Sequence, residues 1–419
     1  MTSENMGSHL DHPQAPERTA GHAARSAIYV TTYYTHDLLE HNSVILSRLL
    51  CLKALGYKMV VIGRSPTREP NLLRTSYADV LLLDPRRGAA EQLAEMERLS
   101  GAPLDVALVI ARDLPTARQA LALGKRCACP VYYDSLETWT GYGVREGRVK
   151  PLRYLRSWLR ERWHIRRFTR VITHSQTAKR YLERLHRLPP TLTGVLYAAL
   201  PPPPPGPKGR LWRLAFGDAP RQGKVLVCSG GLSPGRGLHA LIEAFQYVGQ
   251  DYRLVLLGNG PLKAELAARA SMLGLGGRVG FCPYVPVTDY YPLLGDADIG
   301  VDPRPLTNRN YDLACSVRVV DYANCRLPII TTATQGFRFI EREYGIVRCI
   351  PQGLGPREMG AMITEFADGY QSHPDRTRAS LERALEREFS FQANVSRLEQ
   401  WLREDGLAPE REQGRVAEP

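Results

Sequence analysis

An arginine and an aspartate lie three residues apart in the stretch CSVRVVDYANCRLPIIT, residues 315–331. Three residues is nearly one helical turn, so Arg318 and Asp321 share one face of a predicted helix. Unpaired backbone N–H groups at a helix N-terminus favour anions. A guanidinium suits a diphosphate and a carboxylate suits a sugar diol, so the pair predicts a site for both groups. A surface ion pair on an ordinary helix is the alternative interpretation of this short motif.

A glycine-rich turn, SGGLSPGRG at residues 229–237, lies between a predicted strand and a predicted helix. Gly230 and Gly231 allow close backbone approach to a ligand, the helix N-terminus favours phosphate, and Arg236 adds a positive charge. The turn fits neither G-x-G-x-x-G nor the Walker pattern. It therefore predicts a phosphate site, with a flexible strand-to-helix connection as the alternative.

Short apolar runs alternate with helical patterns in both halves of the chain, which predicts parallel sheets flanked by helices. The predicted fold class is α/β, with two Rossmann-like domains facing each other across a cleft. Five consecutive prolines at 201–205 indicate an extended interdomain linker. The predicted divisions are a disordered lead at 1–25, an N-terminal domain at 26–200, a Pro/Gly-rich linker at 201–222, a C-terminal domain at 223–385, a helix at 386–405 packing back towards the N-terminal domain, and a polar tail at 406–419.

Composition places the chain among ordinary globular proteins, with 419 residues, 43% hydrophobic residues and a mean hydropathy of -0.28. Neither a membrane-spanning run nor the apolar core of a signal peptide occurs in the sequence. The eight cysteines form no C-x-x-C pair and are interpreted as reduced thiols. These features favour a cytoplasmic protein.

The positive charge is concentrated in one stretch, since residues 141–190 contain 14 Lys or Arg against three Glu. Two adjacent helical stripes run through it, one basic and one apolar. The basic stripe is Arg153, Arg156, Arg160 and Arg167, and the apolar stripe is Leu152, Leu155, Leu159 and Trp163. No nucleic-acid-binding motif accompanies them, so nucleic acid is not expected as a partner. Two interpretations remain open: peripheral binding to an anionic membrane at its inner face, or a surface helix whose leucines pack on the sheet.

Three stretches of the second half, in order, resemble family four of the retaining, GT-B-fold glycosyltransferases that use sugar nucleotides. They are GGLSPGRGLHALIEAF at 230–245, LVLLGNGPLKAEL at 254–266 and SVRVVDYANCRLPIITT at 316–332. In the first half VIARDLP at 109–115, PVYYDSLE at 130–137 and VITHS at 171–175 are similar to the N-terminal domain of that family. The resemblance implies an acceptor-binding N-terminal domain and a donor-binding C-terminal domain.

The resemblance also implies roles for individual residues. Arg236 and Arg318 contact the donor diphosphate and stabilise the leaving phosphate, and Asp321 holds the ribose hydroxyls. Asp113 and Glu137, at strand ends, are further catalytic candidates, and His36, Asp37 and His41 are candidates on the acceptor side. The remaining residues expected to line the donor cleft are Gly230, Gly231, Gly258, Gly260, Tyr284 and Val285.

No cofactor is expected, because fixed cations and helix N-termini can stabilise the leaving diphosphate. Retention through front-face attack by the acceptor hydroxyl needs no protein nucleophile. No metal is expected either, since Asp296 and Asp298 form a D-x-D that closes a helix before a strand.

The sequence departs from the family pattern at three positions. Gly231 replaces a basic residue, Leu313 replaces the first acidic residue of a pair with only Asp312 beside it, and Leu136 replaces a histidine. The predicted function is a retaining glycosyltransferase that moves a sugar from a nucleoside-diphosphate sugar to a saccharide or lipid-linked acceptor of the cell envelope. The departures motivate an alternative, a catalytically silent GT-B scaffold that binds a nucleotide sugar or a protein partner. A third possibility is an epimerase or phosphorylase of the same fold. The sequence shows neither the pair of catalytic bases nor the cofactor-binding lysine that such an enzyme would need.

Overall fold

The computed structural model describes residues 25–34, 43–64, 71–83, 87–101, 103–145, 148–149, 151–202, 208–372 and 374–407. The predicted disordered lead, apart from Arg25, and most of the polar tail lie outside these residues. All eight cysteines are free thiols. No helix within the described ranges is both long enough and apolar enough to cross a bilayer.

The N-terminal domain is built on an eight-stranded sheet of order β10-β9-β6-β5-β1-β2-β4-β3, in which only β3 runs antiparallel to its neighbour. Every residue of β5 is buried, as expected of a parallel sheet covered on both faces. The elements are β1 (Ser26–Tyr34), α1 (Ser43–Ala54), β2 (Lys58–Arg64), β3 (Asn71–Arg74), β4 (Asp79–Leu83), α2 (Ala89–Ser100), β5 (Val106–Arg112), α3 (Asp113–Cys127), β6 (Val131–Ser135), a 3-10 turn (Trp139–Gly143), the hairpin β7 (Val144–Arg145) and β8 (Arg148–Val149), α4 (Pro151–Ile165), β9 (Arg170–Thr173), α5 (Gln176–His186) and β10 (Thr193–Val195).

The C-terminal domain carries a six-stranded, all-parallel sheet of order β13-β12-β11-β14-β15-β16. Apolar clusters cover both of its faces. The elements are α6 (Arg210–Phe216), β11 (Lys224–Ser229), α7 (Leu238–Phe245), β12 (Tyr252–Leu257), α8 (Lys263–Met272), β13 (Val279–Cys282), α9 (Val287–Leu294), β14 (Ile299–Asp302), α10 (Arg309–Leu313), α11 (Val317–Asn324), β15 (Ile329–Thr332), α12 (Gln335–Tyr344), β16 (Val347–Ile350), α13 (Pro356–Ser372), α14 (Pro374–Ala384), a π-helical turn (Leu385–Phe389) and α15 (Phe391–Glu404). The two sheets confirm the predicted α/β class.

The predicted linker at 201–222 is not extended throughout, because it contains α6. Leu211 and Trp212 of this helix are buried in the C-terminal core, and the indole N–H of Trp212 donates to Ala219 O at 2.7 Å. Burial of these two side chains outweighs the extended preference of the Pro- and Gly-rich composition. The described end of this segment therefore belongs to the C-terminal domain.

Helix α4 exposes its apolar stripe to solvent. The exposed fractions are 85% for Leu152, 50% for Leu155, 52% for Leu159 and 58% for Trp163, whereas Glu161 and Ile165 on the opposite side are buried. The interpretation in which the leucines pack on the sheet is therefore wrong. The helix is anchored by its other face, where Glu161 accepts from the ring of His186 at 3.2 Å.

The last helix returns to the N-terminal domain. Val395, Leu398 and Trp401 of α15 are buried in the cluster that covers one face of the first sheet. A Cβ added to Gly194 of β10 would lie 2.0 Å from the Trp401 ring, so the glycine makes room for the indole. The chain end thus completes the core of the domain in which the chain begins.

We expect Trp401→Ala to lower the free energy of unfolding by roughly 3 kcal/mol, because it removes a large buried side chain and leaves a cavity. Urea unfolding followed by far-UV circular dichroism would measure the change. Gln400→Ala, on the exposed side of the same helix, is the control and should change stability by at most about 0.5 kcal/mol. Equal effects of the two substitutions would contradict the packing described for α15.

Candidate active site

A cavity of about 340 Å³ lies at the carboxyl edge of the second sheet. It is lined by the turns that follow β11 and β12 and by the start of α11, and Val44 of the N-terminal domain closes one side. The structure brings together eight of the nine residues predicted for the donor cleft: Gly230, Gly231, Arg236, Gly258, Tyr284, Val285, Arg318 and Asp321. The ninth, Gly260, does not line the cavity and packs against the backbone of Leu232 instead.

Close backbone contact between the two glycine turns shapes the floor of this cavity. Gly258 has a φ of +150°, and a Cβ added there would lie 2.1 Å from Gly230 O. Gly230 has a φ of +100°, and its Cβ would lie 3.2 Å from Arg318 Nε. Glycine is required at both positions because a side chain would separate the turns or displace the guanidinium.

The ion pair between Arg318 and Asp321, the alternative interpretation of the motif, does not form, because Arg318 has a different partner. Arg318 Nη1 donates to Asp302 Oδ1 at 2.8 Å, and both side chains are buried. Arg304 lies on the other side of the same carboxylate at 3.9 Å. Burial alone would raise the pKa of Asp302, but Arg304 and Arg318 outweigh it and hold the pKa below its ordinary value. Asp302 therefore stays ionised and fixes both arginines.

Sequence reasoning missed Asp302 and Arg304. Asp302 is the last residue of β14 and Arg304 lies two residues beyond it, at the carboxyl end of a central strand where ligands of parallel sheets bind. That placement was the available signal. Arg304 Nη2 also donates to Ser316 Oγ at 3.0 Å, which connects this segment to the N-terminus of α11.

Arg236 is the third cation of the cavity. Its side chain is half-buried, and it forms no ion pair among the described residues. Burial, together with the charges of Arg318 and Arg304, lowers the pKa of Arg236, although a guanidinium remains protonated. Three guanidinium groups thus face two carboxylates, Asp302 and Asp321, which leaves an excess of positive charge at the cavity.

Asp321 lines the cavity with both carboxylate oxygens already hydrogen-bonded. Tyr291 donates to Oδ1 at 2.7 Å and Tyr290 donates to Oδ2 at 3.1 Å, two partners that the sequence did not indicate. Burial raises the pKa of Asp321 from 3.8 to about 7, despite these two hydrogen bonds. Each carboxylate oxygen can accept a second bond, so the proposed contact with a sugar diol remains open to it.

Asp113 and Glu137 lie at the carboxyl ends of β5 and β6, away from the donor cavity. Asp113 has a left-handed φ of 59°, and its Oδ1 accepts from the backbone N–H groups of Leu136 and Glu137, each at 3.0 Å. Burial raises the pKa of Asp113 to about 8. Glu137 accepts from the side-chain amide of Asn310 in the other domain. The described contacts of both residues organise the loop and the interface, and their catalytic role stays a prediction.

Helix α10 of the C-terminal domain is held by the N-terminal domain. Asn310 Oδ1 accepts from Thr138 N at 2.8 Å, and Ser175 Oγ donates to Leu313 O at 2.6 Å. A Cβ added to Gly141 would lie 2.8 Å from Asn310 N, so glycine allows this close approach. The short helix that contains Leu313 is therefore fixed by both domains.

Asp312 does not fill the gap left by Leu313. Its carboxylate accepts from the backbone N–H of Gln335 at 2.9 Å and from the side-chain amide of Gln335 at 2.7 Å. Asp312 is therefore a structural acceptor at the start of α12. The side chain of Leu313 is buried at 3% exposure.

The remaining predicted residues lie elsewhere. His36, Asp37 and His41 fall within 35–42, outside the described residues. Asp296 Oδ2 accepts from Leu211 N at 3.1 Å and Asp298 Oδ2 from Val225 N at 2.7 Å, so both D-x-D carboxylates bind backbone at the amino edge of the sheet. In the part of the chain that the structure describes, no cluster of three His, Cys, Asp or Glu side chains could hold a metal ion.

Residues 223–366 match the family model described as glycosyl transferases group 1. A 40-residue segment is 55% identical to D-rhamnosyltransferase WbpZ of Pseudomonas aeruginosa, and this match covers 10% of the present chain and 10% of that relative. The structure resembles HepE of Anabaena in complex with UDP and glucose, with a TM-score of 0.66, 14% identity and coverage of 91% of this chain and 100% of that one.

A further structural relative is WaaG, a glycosyltransferase involved in lipopolysaccharide biosynthesis. Its TM-score is 0.56 at 15% identity, with coverage of 89% of this chain and 99% of that one. These folds confirm the predicted GT-B fold, and the family match over residues 223–366 agrees with the predicted glycosyltransferase family.

The raised pKa of Asp321 predicts a pH dependence of stability. Between the ordinary pKa of 3.8 and the folded value of about 7, the folded state binds more protons than the unfolded state, so the unfolding free energy falls as pH rises. We expect the wild type to lose stability relative to Asp321→Asn between about pH 5 and 7.5 in urea unfolding. Asp218→Asn, at an exposed position, should follow the wild type. A wild type that gains stability over Asp321→Asn with rising pH would contradict the burial effect.

Proposed function

We propose that this protein, whose C-terminal domain belongs to the glycosyl transferases group 1, transfers a sugar with retention from a nucleoside-diphosphate sugar to an acceptor hydroxyl. The observation that carries the proposal is the charge of the donor cavity. Arg236, Arg304 and Arg318 converge there, and only two carboxylates of the described chain, Asp302 and Asp321, compensate them. The excess positive charge matches a diphosphate, which carries negative charge on both phosphates.

The same groups account for the chemistry. Cleavage of the sugar–phosphate bond develops negative charge on the leaving diphosphate, and fixed cations in a low-dielectric cavity stabilise it. Arg236 has no carboxylate partner among the described residues, so its guanidinium is available to interact with the negative charge that develops on the diphosphate. The N-terminus of α11 opens into the cavity at Ser316 and Val317, where backbone N–H groups favour anions. This scheme requires neither a metal ion nor a cofactor.

The rest of the donor fits the other side of the cavity. Asp321, held by two tyrosine hydroxyls, accepts from the ribose hydroxyls. Pro283, Tyr284 and Val285 form a wall against which a base can lie. In this arrangement the sugar faces the N-terminal domain, and the acceptor hydroxyl attacks from the same face as the departing diphosphate.

We place the acceptor on the N-terminal domain and assign it to the saccharides or lipid-linked saccharides of the cell envelope. Support comes from WaaG, which is involved in lipopolysaccharide biosynthesis, and from the exposed stripe of α4. Leu313 favours one alternative, a silent scaffold that binds a nucleotide sugar, because a leucine there supplies no carboxylate to the reacting sugar.

We also propose that the protein is cytoplasmic and binds the inner face of an anionic membrane through α4. Leu152, Leu155, Leu159 and Trp163 are exposed together with Arg153, Arg156, Arg160 and Arg167 on the same side. Apolar side chains can enter the interface while arginines meet anionic headgroups. The charge of the flanking residues selects an anionic lipid surface as the occupant of this face.

A thermal-shift panel of nucleotide sugars tests the donor proposal, because a bound donor raises the unfolding temperature by mass action. We expect Arg236→Ala to weaken binding of the most stabilising nucleotide sugar by about 10- to 100-fold, the loss of one or two charge-assisted hydrogen bonds. Isothermal titration calorimetry would measure it. Arg348→Ala, an exposed arginine outside the cavity, is the control.

Release of nucleoside diphosphate separates the enzyme from the scaffold. Slow donor hydrolysis that disappears in Arg318→Ala supports transfer activity. Tight donor binding without turnover, in the presence of saccharide acceptors, would instead support the scaffold. A panel in which no nucleotide sugar stabilises the protein would overturn both.

For the membrane we expect Leu155→Asp/Leu159→Asp to abolish flotation with vesicles of phosphatidylcholine and phosphatidylglycerol at low salt. The substitutions place two charges where apolar side chains must enter the lipid. Met272→Asp is a matched control, because Met272 is 77% exposed on α8 of the other domain. No flotation of the wild type at low salt would refute the proposal.

A further inference from the structure

A second cavity, of about 470 Å³, lies between the two domains. Helix α5 of the N-terminal domain contributes Arg180 and Arg184, while α10 and α12 of the C-terminal domain contribute Arg309 and Gln335. The family resemblance and the proposed donor site leave this cavity unassigned. Its residues come from both domains, so a ligand here contacts both.

The cavity has three cations and no compensating carboxylate. Arg180, Arg184 and Arg309 form no ion pair among the described residues, and Glu183, the acid nearest to them on α5, is held by Lys179 at 2.6 Å. No Asp or Glu of the described chain lines the cavity. Unpaired guanidinium groups around one concave space favour an anion, and their planar fork suits phosphate oxygens.

The arginines are positioned by contacts between the domains. The Arg180 guanidinium lies over the ring of Phe339 of α12, 5.0 Å from its centroid. Thr177 Oγ1 and Ser175 Oγ both donate to Leu313 O, at 2.5 and 2.6 Å, and so fix α5 against α10. Because these contacts hold the two helices together, Arg180, Arg184 and Arg309 stay on one cavity.

Leu313, where an acidic residue is expected from the family pattern, lines this cavity. A carboxylate in its place would lie beside the three arginines and neutralise part of their charge. The leucine therefore keeps the cavity fully cationic. The departure from the pattern at 313 and the unpaired arginines around it are two aspects of the same arrangement.

The cavity lies between the donor site and helix α4. Leu313 of this cavity and Ser316 of the donor cavity are three residues apart, which limits their Cα separation to about 11 Å. Tyr181 also lines the cavity, and its hydroxyl approaches that of Tyr154 of α4. Tyr154 is flanked by the exposed Leu152 and Leu155. A ligand in the cavity thus lies within reach of both the donor sugar and the membrane-facing helix.

We propose that this interdomain cavity, formed by Arg180, Arg184 and Arg309, binds the phosphate ester of the acceptor. The phosphate is borne by a lipid whose chain leaves past Tyr181 along α4. The identification of the ligand as the acceptor rests on the proposed glycosyltransferase function, whereas the anion site itself rests on the arginines alone. A soluble phosphate ester shares the same recognition chemistry, and the experiment separates the two sources.

Isothermal titration calorimetry with citronellyl phosphate, a short water-soluble prenyl phosphate, and with inorganic phosphate tests the site. Both titrations are made on Arg236→Gln, which removes one cation of the donor cavity, and on the same protein with Arg180→Gln/Arg184→Gln added. We expect the added pair to weaken citronellyl phosphate by about tenfold or more. Arg338→Gln, an exposed arginine of α12 outside the cavity, is the matched control and should leave the affinity unchanged.

The outcomes decide between the sources. Tighter binding of citronellyl phosphate than of inorganic phosphate, with both lost in the double variant, supports a lipid-borne phosphate. Equal affinities that are both lost support the anion site and overturn the lipid source. Affinities unchanged by Arg180→Gln/Arg184→Gln overturn the proposal.

A charge-conserving variant separates loss of the arginine contacts from general destabilisation of the fold. Arg180→Lys/Arg184→Lys keeps the charge and should retain part of the affinity for citronellyl phosphate. Complete loss of binding in both double variants, with a lowered unfolding temperature, would indicate that the substitutions act by destabilising the fold and would count against the site. Nucleotide-sugar stabilisation in the thermal-shift panel should survive Arg180→Gln/Arg184→Gln. Its absence in the wild type, with citronellyl phosphate binding intact, would refute the proposed function and leave the anion site standing.

Discussion

The buried carboxylate of Asp302 is the contact on which the donor site depends. Taking one carboxylate and two guanidinium groups out of water costs several kcal/mol per ion unless they pair closely. Arg318 Nη1 lies 2.8 Å from Asp302 Oδ1 and Arg304 Nη2 lies 3.9 Å from Asp302 Oδ2. The carboxylate therefore offsets the desolvation cost of both guanidinium groups and orients them. It does not neutralise them, because Arg236 adds a third cation. The arginines of the cavity are therefore held in place and carry an excess of positive charge, as the proposed stabilisation of a leaving diphosphate requires.

One continuous segment, residues 302–321, connects this electrostatic centre to the domain interface. It begins at Asp302, passes through α10 where Asn310 and Leu313 contact the N-terminal domain, and ends at Asp321 on α11. Ser316, which accepts from Arg304, lies three residues beyond Leu313. The domain interface and the cation cluster are thus built from one short segment of the chain.

Local patterns in the sequence predicted most of the fold and most of the donor cavity. Parallel strands and glycine turns have strong local signatures, and eight of nine predicted cavity residues lie together. The ion-pair partner of Arg318 could not be predicted, because spacing places Asp321 on the same helix face, whereas the actual partner, Asp302, comes from a neighbouring strand. The tyrosine partners of Asp321 come from α9 and have no sequence signal of their own. Helical periodicity predicted two stripes on α4, but only the tertiary structure decides which one faces the sheet.

Two explanations are open for the leucine at position 313, where the family pattern has an acidic residue. If the acid expected at 313 has simply been lost, an otherwise intact donor cavity lacks one catalytic carboxylate. Asp312 cannot replace it without giving up its hydrogen bonds to the backbone N–H and side-chain amide of Gln335 at the start of α12. The surroundings of Leu313 favour a second explanation, because a carboxylate at this position would contact Arg180, Arg184 and Arg309, which form no ion pair among the described residues. A buried carboxylate among arginines would be held in ion pairs with them and would be less able to act on a sugar. In this chain, an acid at 313 and a free cationic cavity between the domains exclude each other, and the sequence has the cationic cavity.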